Sequence, residues 1–578
     1  MGDFVLYRNN ILAENKGADA LACLARQGSV NYISVKHDTY VVLFFPKQVS
    51  PLQNFFSKNS DAYSAEDFCG SSGTLIYKGR MGGDALSSLL EDFSIDQYNP
   101  EDFGGIFTVI LKKNNRLYMI TDPFGGAYIY QNDTKSLWSS SFLAAASSSH
   151  HLTPNKQAVY EYAFQQTIYG TDTIFTQVDR LDSLKIFEFT ADGPVSYDKN
   201  LKLTFEPSAD SLPSLVEETV PLLKETIEPL NKSFKNKIRS ALSGGYDSRL
   251  ILALLKAHHT IPQLFVYGSD DSPDVTVAKT ISEGEDYPLD HIDKSKYLPP
   301  TSEEYQGIIQ DNFYSLDGLP IEGIFSFRPN MDTRRKRAEN GYMNLNGGGG
   351  EIFRNFFYLH EGSYRIYELI NCFYARYTKD FCQAVFDEKD YRGQLHDKIK
   401  TAIGATSDRL SRQQVEYAYP TFRLRYWTSR DNNNNMRLGS FITPFMSYKL
   451  VRQALKIPLS YKNHGTFQAA LITALSPELA SYTSDYGYAF NEPIPTKIKI
   501  QNYLSYFRPI FLRRYSYAIQ HKVRTLTLPK TLSPEFLPPC LKGDMPHMSE
   551  FFKISKIKDS GLLSRVYTME YLFNHFKL

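Results

Sequence analysis

Six residues, Ser243-Gly244-Gly245-Tyr246-Asp247-Ser248, set two glycines between hydroxyls, add a carboxylate and run straight into the apolar stretch 250–255. Glycines let successive backbone N–H groups turn inward with no Cβ in the way. A helix starting behind them adds partial positive charge, and the two hydroxyls donate further hydrogen bonds. Such a turn suits an anion. Asp247 would repel a bare phosphate but fits one bridged by Mg²⁺, because hard cations take carboxylate together with phosphate oxygens. No Gly-Lys-Ser/Thr follows, so the turn is not a Walker A loop. The plainer reading is a tight strand-to-helix turn capped by Ser243 or Asp247 with no ligand. That reading uses one polar side chain where three crowd two glycines, so a nucleotide phosphate with Mg²⁺ is the expected occupant.

The neighbouring elements must hold that turn in place. "KIRSAL" before it reads as a strand and "RLILALLKAHH" after it as a helix. "PQLFVYG" (strand), "SPDVTVAKTISEG" (helix) and "YPLDHID" (strand) follow, an alternation that predicts a parallel sheet with right-handed crossovers. Upstream, to about residue 205, short β-branched and aromatic runs such as "YVVLFFP", "GTLIYKG", "GIFTVILKK", "RLYMITD", "AYIYQ" and "LKIFEFTADG" read as strands, with a hairpin turn at Asn114-Asn115. Helices are expected near 84–92 and 155–166, which makes this region α+β on antiparallel sheet. Residues up to about 480 read as mostly helical, with the asparagine run 432–435 as a loop. The expected division is 1–205, 206–515 and a helical extension 516–578.

Bulk composition excludes several classes. A chain of 578 residues is too long for a single core. With 42% apolar and 22% charged residues it has the composition of a globular protein. Lys+Arg 64 against Asp+Glu 63 leaves no global field for nucleic acid. Five scattered cysteines with no CxxC spacing read as free thiols, not as a zinc site or disulfide framework. No secretory signal and no apolar run of spanning length is legible, and Leu6 stands where a myristoylation motif wants Ser or Thr, so a cytoplasmic protein is expected. One local bias stands out. No acidic residue occurs between Glu492 and Glu535, while Lys497, Lys499, Arg508, Arg513, Arg514, Lys522, Arg524 and Lys530 do. The segment 497–530 reads either as a solvated basic helix face or as a surface for an anionic partner such as phosphate, RNA or a membrane.

Residues 243–248 resemble the SGGxDS PP-loop of ATP pyrophosphatases, which cleave ATP between the α- and β-phosphates. From about residue 70 to 490 the chain resembles one branch, the asparagine synthetase and β-lactam synthetase group. "FGGIFTVILKKNNRLYMITDPFGGAYIYQ" is similar to its N-terminal domain, "FVYGSDDSPDVTVAKTISE" to its second strand and helix, and "NLNGGGGEIF" to its second glycine loop, GxG(G/S)D. "ITPFMSYKLVRQALKIPLSYKNHGTFQAALITAL" is similar to its VPFLDxxLVxxALxLP region. The resemblance implies a layered antiparallel domain like the N-terminal-nucleophile hydrolases, followed by an α/β PP-loop domain with a helical C-terminal part. It implies ATP and Mg²⁺ as cofactors, with ATP held by Ser243, Gly244, Gly245, Asp247, Ser248, Val266, Gly268, Gly348 and Gly349. Asp247 and Glu351 would ligate Mg²⁺.

The chain also departs from that group. Position 2 is Gly where the glutaminase nucleophile, a cysteine, would stand, and the nearest cysteine is Cys23, so no acyl-enzyme from glutamine is expected. The second loop admits two registers. In the first, Glu351 falls on the family's metal-binding aspartate and Gly348 on the variable position; in the second, Glu351 follows that aspartate and Gly350 replaces it. The first keeps the glycine spacing and is preferred; a carboxylate favoured by a helix N-terminus is the plain alternative for Glu351. Gln468 stands where the family has a lysine, and Thr483-Ser484-Asp485 where it has a basic turn. Losing one such oxyanion stabiliser costs about 2.7–4 kcal/mol. Lys449, Lys462, Lys497 or Lys499 are the stand-in cations, with Glu351, Lys449 and Lys497 as catalytic candidates. Two functions follow. One is an AMP-forming carbon–nitrogen ligase that activates a carboxylate as acyl-adenylate for ammonia or a substrate amine, including ring closure of the β-lactam or lasso-peptide type. The other is a non-catalytic descendant that binds nucleotide or a partner. The carboxylate and amine substrates and the oligomeric state are not legible.

Overall fold

Period-two alternation builds the N-terminal region. In the computed structural model, which describes residues 3–9, 16–46, 50–58, 67–325, 329–523, 528–541, 543 and 545–578, two six-stranded antiparallel sheets face each other. One runs 179–180, 130–131, 137–139, 3–8, 40–45, 33–37 and the other 193–198, 185–190, 116–121, 103–113, 68–77, 55–57. Phe4, Leu6, Val42 and Phe44 of the first sheet meet Ile110, Leu117 and Met119 of the second. The intervening residues point the other way. Val5, Tyr7, Val41 and Leu43 pack on Ala20, Leu24 and Ala144 of helices Lys16–Arg26 and Phe142–Ser147. Val109, Leu111 and Ile120 pack on Leu86, Leu89 and Leu90 of helix Gly82–Asp92. The result is four layers, helix–sheet–sheet–helix. Asn114 and Asn115 both take positive φ (52° and 60°), the conformation a two-residue hairpin requires. Gly2 lies outside the described residues. Cys23 is buried in the first helix, and burial pushes its thiol up to about 12, which leaves no thiolate there.

The second region is the expected parallel sheet. Its order is Leu289–Ile292, Gln263–Tyr267, Ile238–Ala241, Met343–Leu345, Ser440–Ile442, every pair parallel. Helices Leu212–Phe234, Tyr246–Ala257 and Pro273–Glu285 lie where the alternation puts them. One expectation fails. Residues 432–435 are not a loop but the middle of helix Ser429–Leu438, with Asn432 and Asn434 buried. Tertiary partners overrule the weak helix propensity of asparagine. Asn433 Oδ1 accepts from the Tyr128 amide and its Nδ2 donates to the Gly126 carbonyl, Thr443 Oγ1 donates to Asn432 Oδ1, and Arg334 donates to Asn435 Oδ1. The segment 516–578 is also no appendage, since helix Ser560–Phe576 lies in the main core and Arg565 Nε donates to the Ala163 carbonyl.

Buried ions join the two regions. Asp317 accepts from Ser141 Oγ (2.8 Å), the Phe142 and Leu143 amides (2.8 and 3.1 Å) and Gln27 Nε2 (2.9 Å). Arg437, from the asparagine helix, pairs with Asp3 at 3.1 Å and donates to Gln27. The head of the first strand is thus held by an arginine from the other region. Asp317→Ala strands these donors out of water, and urea denaturation is expected to register a loss of about 3–5 kcal/mol, against less than 1 kcal/mol for an exposed control such as Asp198→Ala.

Candidate functional site

Strand Ile238–Ala241 is central and carries the 243–248 turn at its C-terminal end. Strand Met343–Leu345 beside it carries the second glycine loop. The order in which strands are added reverses between these two parallel strands, which is where ligands bind in open α/β sheets. The loops touch: a Cβ on Gly347 would lie 2.8 Å from the Asp247 carbonyl carbon, so only glycine permits the approach.

The first loop is closed upon itself. The Ser243 amide donates to Ser248 Oγ at 2.9 Å, and the two hydroxyls are 2.9 Å apart. The Gly244 amide donates to Asp274 Oδ1 at 2.7 Å. From outside, the turn 483–489 lies across the loop. The Asp485 amide donates to the Gly244 carbonyl, a Cβ on Gly244 would lie 2.5 Å from Asp485 Cβ, and Arg249 donates to the Tyr482 and Thr483 carbonyls. Burial, and then the Asp274 charge, push the Asp485 carboxyl up. Two carboxylic side chains, Asp274 and Asp485, therefore border the loop at Gly244. The amides of Gly245, Tyr246, Asp247 and Ser248, at the open first turn of helix Tyr246–Ala257, have no recorded acceptor among the described residues.

In the second loop the register differs from the preferred one. Gly350 faces Asp247: a Cβ there would lie 2.3 Å from Asp247 Oδ1. Glu351 turns elsewhere, its Oε2 accepting from Tyr419 Oη at 2.6 Å and from the Gly349 amide at 3.1 Å. Glu351 reaches Asp247 only across the Arg354 guanidinium that the two carboxylates share. Arg354 Nη2 donates to Asp247 Oδ2 at 2.6 Å and lies 3.8 Å from Glu351 Oε1, while Gln468 Nε2 donates to Asp247 Oδ1 at 2.8 Å. Burial pushes the Asp247 carboxyl up to about 7; Arg354 and Gln468 pull down, and Glu351 adds to the rise. Among the described residues no group of three or more His, Cys, Asp or Glu could hold a metal.

The other expected residues scatter. Lys449 is not at the site; it pairs with Glu225 at 2.7 Å on a separate cavity. Lys497 and Lys499 are exposed on helix Thr496–Phe507, and buried Lys462 is held by Glu416 at 2.9 Å. Val266 is buried within its strand, and the Gly268 carbonyl is bonded to His291 Nε2 at 2.8 Å. Gly348 donates to Asn346 Oδ1, and Gly349 takes φ 92°. The cation at the carboxylate is Arg354, which the sequence reading passed over. Its signal was the spacing Glu351-x-x-Arg354, one helical turn.

Against this wall lies a cavity of about 510 Å³ lined by Tyr246, Arg354, Phe373, Arg376 and Tyr486 among others. A second of about 320 Å³, with Arg423 and Trp427, shares Glu351 and Phe356 with it. Arg376 and Arg423 stand 4.0 and 5.2 Å from the Phe373 ring, and Arg423 is 3.8 Å from Trp427. Neither forms an ion pair among the described residues. Burial and then the Arg423 charge pull Arg376 down.

No family model matches the chain, and no curated protein does. Solved structures that match include the glutamine phosphoribosylpyrophosphate (PRPP) amidotransferase from B. subtilis complexed with ADP and GMP, at 10% identity, 53% of this chain, 70% of that chain and TM-score 0.24. Another is the allosteric regulatory enzyme of purine biosynthesis, at 7% identity, the same coverages and TM-score 0.23. At these TM-scores the likeness carries no argument about activity.

Folded Asp247 keeps its proton up to about pH 7, whereas the unfolded chain releases it near 4. The folded state holds the extra proton between those values and loses that advantage as pH rises. Relative to Asp247→Asn, wild-type stability in urea is expected to fall by about 1–2 kcal/mol from pH 4 to pH 7, less than full burial would give because a quarter of the side chain is exposed.

Proposed function

We propose that the chain is a non-catalytic binding protein of asparagine synthetase-like architecture, whose Mg²⁺-triphosphate chemistry has been lost. The observation that carries this reading is the environment of Asp247. Its two oxygens are taken by Arg354 and Gln468, and the position facing it is Gly350. A metal at Asp247 would have to displace a 2.6 Å charge-assisted bond from Arg354, the cation that already answers both Asp247 and Glu351. A phosphate on the first loop would meet Asp274 and Asp485. What remains suited to a ligand is the joined cleft, where a planar anion would lie between aromatic faces and the two guanidiniums that lack carboxylate partners.

One observation favours the second reading, an AMP-forming amide ligase using ATP and Mg²⁺: the amides of residues 245–248 are open at a helix N-terminus. In that reading Arg354 swings from Asp247 onto the triphosphate, and Asp247 alone supplies the protein's charge to the metal.

The two readings separate in one assay. Purified chain given ATP, Mg²⁺ and a panel of amino and hydroxy carboxylates is expected to release pyrophosphate no faster than Asp247→Asn does. Release that drops by about 10²-fold or more in that variant overturns the binding-protein reading. A companion titration is expected to find that Arg376→Ala/Arg423→Ala loses the heat of binding an aromatic carboxylate or phosphate such as AMP.

A further inference from the structure

Nine of the nineteen large apolar side chains exposed among the described residues fall between positions 500 and 528, each 42–66% exposed. They belong to helices Thr496–Phe507, Ile510–Arg513 and Ser516–Val523 and the residues that follow. Ile500, Tyr503, Leu504 and Phe507 recur at the spacing of a single helix face, continued by Phe511 and Ile519. In a core helix this stripe would point inward. Here the polarity is reversed: the first helix buries only Tyr506, and the second buries Arg513. Arg513 donates to the carbonyls of Phe357, Tyr358, Ser505, Tyr506 and Arg508. An arginine spent on five carbonyls fixes the helices to the body while their apolar side chains stay in water.

The charge carried by the segment itself has one sign, with Glu388 pairing Arg514 from outside it. Between Glu492 and Glu535 there is no carboxylate, and exposed Lys497, Lys499 and Arg508 form no ion pair among the described residues.

We propose that the 496–519 face docks the protein in the plane of an anionic lipid surface, its apolar stripe entering the interface and its flanking cations meeting lipid phosphates. A large unpartnered apolar patch marks an interaction surface, and charge complementarity selects the partner. A second copy docked by this face would set cations against cations. RNA would answer the charge but gains little from the aliphatic Ile500, Leu504 and Ile519. Anionic lipid answers both features, as it does for interfacial amphipathic helices with an apolar face and a basic one. Ile498, Asn502 and Arg508 of the same segment line the 510 Å³ cavity, so docking sets that cleft beside the headgroups.

The test is co-sedimentation of the full chain with vesicles of phosphatidylcholine plus phosphatidylglycerol, with phosphatidylcholine alone, and with single-stranded RNA as competitor. Partitioning at least tenfold stronger onto the anionic vesicles is expected. Lys497→Glu/Lys499→Glu should weaken it by fivefold or more per charge, and Leu504→Glu/Phe507→Glu should abolish it with the melting temperature unchanged. Leu504→Ser/Phe511→Ser serves as the milder pair should the glutamates unfold the chain. Failure to partition, partitioning indifferent to the Leu504 and Phe507 changes, RNA displacing vesicles, or a wild-type dimer that these changes split each overturns the proposal.

Discussion

A buried carboxylate must be answered by charge or by a proton, and the answer given to Asp247 governs the centre of this molecule. Arg354 and Gln468 supply it from within the chain. That closure has a geometric condition, a residue at 350 without a side chain, because a Cβ there would strike Asp247 Oδ1. It has an electrostatic counterpart in the first loop, where Asp274 takes the Gly244 amide that would otherwise point at a ligand. The turn keeps the shape of an anion cradle while its Ser243 and Gly244 amides are spent internally. Shape and availability are separate properties, and only the second decides what such a turn holds.

The same logic recurs at the junction of the two regions. The first strand of the layered domain begins at Asp3, and Arg437 from the asparagine helix is paired with it. Asp317, on the α/β side, caps the helix that starts at Phe142. Cys23 is inert in its helix. Breaking any of these buried contacts leaves a charge or donor that water cannot reach.

Beyond the two glycine loops, further groups stand open. Arg376 and Arg423 stand over aromatic rings without ion-pair partners, and the 496–519 segment presents an apolar face to solvent. The first bears on a ligand and the second on a surface. They meet along one wall of the cleft, since Arg508 belongs to both.

The sequence by itself determined the antiparallel strands of the first region, the parallel strands and helices from 212 to 292 and the hairpin at Asn114-Asn115. These rest on local periodicity and on glycine, whose signals survive without knowledge of partners. Tertiary structure alone decided that residues 432–435 are helical, because their amides find partners on distant segments. It alone decided that Gly350 and not Glu351 faces Asp247, since the two registers differ by one residue in which way the short Gly350–Phe353 helix points each side chain. Arg354 was hidden for the same reason, as was the outward turn of Ile500, Leu504 and Phe507. Helical spacing says which residues share a face, but only the packing of the rest of the chain says whether that face looks inward or out.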